Sequence, residues 1–463
     1  MDIGQQVGAR IKRLRRSKKI SQSDLADTLG ISSSYLNLIE HNRRKITVPL
    51  LFSIAGHLGV EPGELVDNDE GRLVGDLMEA FGDEFFADSD VTNLEIRDFA
   101  QSNPAAARAM LQLYDRFRDL RQHPSPMPQA EGIPFHAATE AISDFLQEAA
   151  NHFPYLEDAA ERVRADIDAM DDDFAAGLKA YLFNVMGRET RLSSLPSGLA
   201  RRFDGRTLFL SDLLPAETSL FLTAHHLAED IAAPEIESII ARANLPEGDA
   251  PTLARNVLAA YFAAALIMPY EPFLAACKMY RYDVDRIARR FSASFEQVCQ
   301  RMTSLQRRGA SGIPLHLVRT DIAGNISKRF SLSGIHIPRH SGACPRWNIY
   351  AAFLAPDRIN VQISKMPDGA RYFCIARSVA KGGFRYNAPR SYLSIGLGCS
   401  IHHAKEMVYA DGMDLHDESK AVPVGTGCRI CPRMDCGQRA HPPADHRVTP
   451  SATDRGINLY SRL

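Results

Sequence analysis

At 463 residues the chain is long enough for about three domains, and its 45% hydrophobic and 24% charged content excludes collagen-like and broadly disordered classes. The net charge of −2 hides an uneven distribution: basic residues dominate from Arg10 to Lys45, and carboxylates recur between Asp67 and Asp98. A basic head beside an acidic stretch points to nucleic acid as a partner. The first residues lack an apolar stretch, and the longest apolar run, Leu258–Met268, is about half a membrane span, so a cytoplasmic protein without a membrane partner is expected. Cysteines begin at Cys277 and three crowd together at Cys428, Cys431 and Cys436, which favours metal or redox chemistry over structural disulfides.

Val7, Ile11 and Leu14 recur at helical spacing, predicting an amphipathic first helix over residues 5–17. Ser21 with Asp24 three positions on opens a second helix, whose buried stripe is Leu25, Ala26 and Leu29. Gly30 supplies a turn, Ser32 caps a third helix running to about His41, and a fourth follows Thr47 and ends at Gly59. Two helices joined through a glycine turn place the second in a DNA major groove. On that reading Ser32, Ser33, Ser34, Tyr35 and Asn37 face base edges, with Asn37 suited to bidentate pairing with adenine. Gln22, Arg43, Arg44 and Lys45 would hold phosphates. The alternative is a helical protein–protein module with a solvated basic face. The segment SQSDLADTLGISSSYLNLIEHNRRK resembles the helix-turn-helix of the XRE/Cro-like repressor superfamily throughout.

In the acidic connector, Leu73, Leu77, Phe81 and Phe85 are spaced by four, predicting a helix with an apolar stripe. A second amphipathic helix is expected over 99–122, carrying Met110, Leu113, Tyr114, Phe117 and Leu120. These helices would either cap the next domain or support a homodimer, since one helix-turn-helix grips few base pairs. Pro124, Pro126 and Pro128 then mark a linker.

Residues 132–275 read as mostly helical, with one strand at Thr207–Leu210. Within FLTAHHLAEDI, a zinc protease would need His-Glu-x-x-His. Here His226 stands where the general base belongs and Glu229 where the second histidine belongs, leaving at most a weak metal pair in His225 and Glu229. A domain without a catalytic centre suits a ligand sensor. Arg201, Arg202 and Arg206 could grip an anionic group, and Tyr261 and Phe262 could line a pocket, with core packing and surface charge as the plainer alternative.

Residues 277–310 look helical, and 313–400 turn to short β-rich runs such as LHLVRTD, NIYAAFLA, INVQISK and RYFCIARSV, predicting a small antiparallel sheet. In GTGCRICPRMDCGQRAHPP three thiolates share one loop, with Cys344 or Cys399 available as a fourth ligand. Such a set suits an all-cysteine iron–sulfur cluster or a four-thiolate zinc site, and spacing does not separate them.

With these segments together, the chain resembles the short-chain fatty acyl transcriptional regulators through SSSYLNLIEHNRR, RNVLAAYFAAALIMPY, RYDVDRIARRFSASFEQVCQR, GACPRWN, IGLGCSIHHAKEMVYADGMDL and CRICPRMDCGQRAHPP. The resemblance implies a mainly α fold with a C-terminal α+β part. Its expected parts are a lambda-repressor-like helix-turn-helix bundle at 1–66, an acidic connector at 67–128 and a degenerate IrrE-like metallopeptidase domain for ligand sensing at 129–275. A β-rich regulatory domain with a four-cysteine metal site follows at 276–446, then a tail at 447–463. It also implies regulation of short-chain acyl-CoA metabolism, through propionyl-CoA or acetyl-CoA, with an acyl-CoA effector. A [4Fe-4S] cluster would fall on Cys344, Cys428, Cys431 and Cys436. Two rival functions are an iron or redox sensor without acyl-CoA, and a metal-dependent peptidase acting on a repressor.

Overall fold

The computed structural model describes residues 8–443 apart from 9–10, 13, 16–17, 19, 41–43, 45, 61–68, 87–88, 90, 123–134, 197, 340–341, 383–385 and 387–389. It divides into two compact units, Met1–Arg118 and Asp119–Pro443. The expected proline linker and the C-terminal tail lie outside the described residues.

The first unit opens with helical residues that include Ile11, then α1 (Gln22–Thr28), α2 (Ser33–Glu40) and α3 (Val48–Leu58). Ser21 caps α1 by accepting from the Asp24 N–H, and Ser32 caps α2 by accepting from the Tyr35 N–H at 3.1 Å. Gly30 (φ 67°) and Gly59 (φ 58°) take the left-handed backbone that turns the chain after α1 and α3. Ile11, Leu25, Ala26, Leu36, Ile39, Leu51, Ile54 and Leu58 close a single apolar core. The connector forms α4 (Asp69–Phe81), α5 (Asn93–Ser102) and α6 (Pro104–Gln122).

Two expectations need correcting here. Phe85 leaves the α4 stripe: a 3₁₀ turn at Glu84–Phe86 follows the helix and leaves Phe85 57% exposed. The helix expected over 99–122 is two helices, because Pro104 has no N–H and begins a new one, and Leu113 points outward at 70% exposure.

The second unit begins with three helices, α7 (Phe135–Glu148), α8 (Pro154–Asp168) and α9 (Phe174–Met186), and a three-stranded sheet of β1 (Glu189–Ser193), β2 (Arg201–Phe203) and β3 (Thr207–Ser211). The single strand expected is the central one; β1 pairs with it in parallel and β2 antiparallel. Then come α10 (Ala216–Ile231), α11 (Ala233–Arg242), α12 (Ala250–Ile267), α13 (Tyr270–Met279), α14 (Val284–Phe291) and α15 (Phe295–Thr303). Among the described helices α12 alone is long and apolar enough to cross a membrane, yet it is a core helix whose Leu258, Phe262 and Leu266 are fully buried among neighbouring helices.

A six-stranded sheet of order β5-β4-β8-β7-β6-β9 completes the unit: β4 (Leu315–Asp321), β5 (Ile326–Ser331), β6 (Asn360–Lys365), β7 (Arg371–Lys381), β8 (Ser391–Ser400) and β9 (Val422–Pro423). It is antiparallel except where β9 joins β6. NIYAAFLA, expected as a strand, is instead the short helix α16 (Asn348–Ala351) with a 3₁₀ turn. Helical spacing buries Ile349 and Ala352 on one face, and Asn348 Nδ2 donates to the carbonyls of Asn360 and Cys374.

Alternation along the strands sorts residues between two faces. Leu315, Leu317, Phe373, Ile375, Ile395, Leu397 and Cys399 join the large core built by α8, α12, α13 and α15. Val318, Tyr372, Cys374 and Ala376 point the other way, into a smaller core with Cys344, Trp347 and Val424.

Candidate functional sites

In the first unit, burial of Leu36 and Ile39 turns the opposite face of α2 outward, so that Ser33, Ser34, Asn37 and Leu38 are exposed, with capping Ser32 beside them. Tyr35 is half-buried and carries the Arg44 guanidinium 5.9 Å from its ring centre. Arg44 itself is exposed, whereas Arg43 and Lys45 lie outside the described residues. Gln22 is more committed than its sequence position implies, because its Nε2 donates to Glu40 Oε2 at 2.8 Å.

Glu40 was not legible as a site residue. It is buried at the end of α2 and receives Arg15 Nε at 2.6 Å and Nη2 at 3.0 Å, while Arg15 Nη1 donates to the Ile20 carbonyl. This paired, buried guanidinium ties the first helix to the outward-facing one. An acidic residue after Leu38 and Ile39 gave no hint of that partner, which is 25 residues away.

In the second unit, Arg201 and Arg202 sit on β2. Arg201 is ion-paired with Glu229 of α10, and Arg202 lies over the Phe209 ring. Arg206 reaches Glu189 at 3.3 Å. Glu229 gathers two donors, Arg201 Nη2 on Oε1 and His226 Nδ1 at 3.1 Å on Oε2, and His225 Nδ1 lies 3.4 Å from Oε1. Burial pushes its carboxyl up, but the close contacts with His225, His226 and Arg201 outweigh burial and hold it far below the usual carboxylate range. Arg188 Nη1 is 3.1 Å from His226 Nε2 and 2.5 Å from Asp230 Oδ2.

Tyr261 and Phe262 are packed in the core. The Tyr261 hydroxyl donates to Glu157 Oε1 at 2.5 Å, and the same carboxylate receives Arg301 Nη1 at 2.6 Å and Nη2 at 2.8 Å. Both members of that pair are 1% exposed, and Arg301 also donates to the Met268 carbonyl. Burial raises the Tyr261 hydroxyl and the adjacent carboxylate raises it further. The guanidinium charge overcomes burial and keeps Glu157 ionised below its ordinary value.

The cysteines divide by sheet face. Cys399 faces the large core, its thiol 3.8 Å from Met407 Sδ. Cys344 lies in the smaller core, its N–H donating to the Thr426 carbonyl, and Trp347 Nε1 donates to the Gly425 carbonyl. Burial pushes the Cys344 thiol up, and the nearby Cys428 and Cys431 push it further. Cys431 is likewise raised by burial, with Cys436 adding to it against Arg439 and Arg433. Arg439 binds the loop from within, donating to the carbonyls of Cys428, Cys431 and Arg433 at 2.6 Å each. Among the described residues no three His, Cys, Asp or Glu side chains converge closely enough to hold a metal ion. The four-cysteine site expected from the motif is therefore not formed as a ligand set in this structure.

These features define a helix-turn-helix regulator joined to a peptidase-related helical domain and a β-sheet domain. Three family profiles match in that order: helix-turn-helix over residues 11–65, IrrE N-terminal-like domain over 183–303, and short-chain fatty acyl coenzyme A regulator, C-terminal, over 304–460. The propionyl-CoA carboxylase regulator of Cereibacter sphaeroides is 35% identical over 458 residues, 98% of each chain. The HTH-type transcriptional regulator PrpR of Mycobacterium tuberculosis is also 35% identical, covering 95% of this chain and 92% of its own. A solved Mycobacterium tuberculosis transcriptional regulator superposes with TM-score 0.66 at 37% identity, covering 71% of this chain and all of its own. The chain belongs to the short-chain fatty acyl coenzyme A regulator family, and is a DNA-binding transcriptional regulator.

Proposed function

We propose that this regulator controls genes of short-chain acyl-CoA metabolism in the cytoplasm, in response to an acyl-CoA such as propionyl-CoA. The observation that carries this reading is similarity along 98% of the chain to a regulator named for propionyl-CoA carboxylase, head and body alike. The outer face of α2 reads base edges through Ser32, Ser33, Ser34, Tyr35 and Asn37, while Arg44, its neighbours Arg43 and Lys45, and the remaining amide hydrogen of Gln22 engage phosphates. The molecule works as a homodimer, so that two heads meet paired half-sites. Acyl-CoA shifts their arrangement by its differential affinity, with a coupling of about 1–3 kcal/mol. The body binds ligand rather than catalysing hydrolysis: with His226 in the place of the peptidase glutamate, no general base stands beside His225 and Glu229.

Cys344, Cys428, Cys431 and Cys436 hold a [4Fe-4S] cluster, with zinc as the other candidate. What supports the set is its chemistry: burial raises the thiols of Cys344 and Cys431 and their cysteine neighbours raise them further, a cost that a bound cationic centre offsets. Cys399, on the opposite face, is not in the set. Bound there, the cluster supplies redox sensitivity or rigidity.

Titrating propionyl-CoA into the full-length protein on a labelled promoter fragment tests the reading. It expects ligand to change the DNA affinity, and unchanged affinity at millimolar ligand favours a regulator of iron or redox state instead. Iron and a broad visible absorption after anaerobic purification support the cluster, whereas stoichiometric zinc without colour supports the alternative.

A further inference from the structure

In peptidase-related folds a helix presents two ligands one turn apart to a metal ion. Here α10 presents His225 and Glu229 at that spacing, and the third side chain facing them is a cation of the chain itself. We propose that Arg201 is a built-in replacement for the metal: its guanidinium supplies the positive charge between His225 and Glu229 and excludes a divalent cation from them.

Hydrogen-bond roles support this assignment. His225 Nε2 is 3.3 Å from the Asn256 carbonyl, which can only accept, so Nε2 carries a hydrogen. Its Nδ1 is buried without a hydrogen-bond partner and lies 3.4 Å from Glu229 Oε1. Arg201 donates Nη2 to that same oxygen, and its Nη1 is also buried without a partner.

Next to it, His226 receives Arg188 on Nε2 and donates from Nδ1 to Glu229. Arg188 pairs in turn with Asp230. The cluster therefore sets two guanidinium groups, Arg188 and Arg201, against two carboxylates, Asp230 and Glu229, without any metal ion. A divalent ion entering it would meet Arg201 directly and Arg188 behind His226, with both carboxylates already engaged. Arg201 rides on β2 and Glu229 on α10, so the same contact also fastens the small sheet to that helix.

The test is zinc content of full-length protein after saturation and dialysis, for Arg201→Met, Arg201→Lys and the double variant Arg201→Met/His225→Ala. The expected result is one more zinc per chain in Arg201→Met than in the unmodified protein. Arg201→Lys, which keeps a cation, gains none, and the double variant loses the gain. Comparison with the double variant separates this site from zinc on the cysteine motif. Equal zinc in the unmodified protein and Arg201→Met overturns the proposal. Should Arg201→Met not fold, His225→Ala alone still decides: a zinc bound by the unmodified protein and lost in that variant contradicts it.

Discussion

The head and the body of this chain spend their polar groups in opposite ways. In the head, a few buried groups, chiefly Arg15 and Glu40, hold a small core while the outer face of α2 displays Ser33, Ser34 and Asn37. In the body, groups that looked like ligand contacts are turned on neighbours within the fold: Arg201 on Glu229, and Tyr261 on Glu157, which also holds Arg301. The difference teaches that residue type alone does not mark a site. An arginine or tyrosine advertises recognition only when the fold leaves its polar end unspent.

The sharpest way to break this contrast is Glu157→Ala. It leaves Arg301 charged and buried, which typically costs about 3–5 kcal/mol, so chemical denaturation should show the body strongly destabilised. If the variant unfolds at the same denaturant concentration as the parent, the pair is not structural. Asn37→Ala is its counterpart in the head. Stability should change by no more than about 0.5 kcal/mol, while discrimination at one base pair falls by about 1–3 kcal/mol. Unchanged preference across operator variants would remove Asn37 from the reading face.

Why the head was easier to read than the body follows from the range of its interactions. Caps at Ser21 and Ser32 and the turn at Gly30 act over three or four residues, so their signals sit side by side in the sequence. Even there, the Arg15–Glu40 pair was hidden by its separation. The body is held by contacts across much longer stretches, such as Glu157 with Arg301, 144 residues apart. The strand β2 carries only RRF and pairs with a β3 whose own pattern was clear, so it gave no periodicity to detect. NIYAAFLA reads equally as strand or helix, and Asn348 decided it by reaching two strand carbonyls. Among the cysteines, spacing left Cys344 and Cys399 equivalent; alternation along β8 placed Cys399 in the other core.

A pH measurement sharpens the comparison further. His316 is buried on the smaller-core face, its Nδ1 2.7 Å from Ser333 Oγ, and burial lowers its value from 6.5 to about 3. The unfolded chain takes up a proton near pH 6.5 that the folded one refuses. This contribution to stability is therefore complete above that pH and is lost as pH falls towards 3, at about 1.4 kcal/mol per unit. His316→Asn should flatten that slope in denaturation curves between pH 6 and about 4; an identical slope would contradict the assignment. The smallest effect expected is that of Arg44→Ala, which should weaken binding to all DNA sequences alike and reduce the salt dependence by about one counterion. A change in sequence preference would instead move Arg44 among the base-reading residues.

Sequence reading rests on the exposed face of α2, and the most direct measurement is binding of the full-length protein to its own promoter fragments against random duplex at fixed salt, with and without propionyl-CoA. A preference for a promoter fragment that Asn37→Ala diminishes, in a protein that remains folded, is the result expected. Equal binding to promoter and random duplex in both conditions would contradict it.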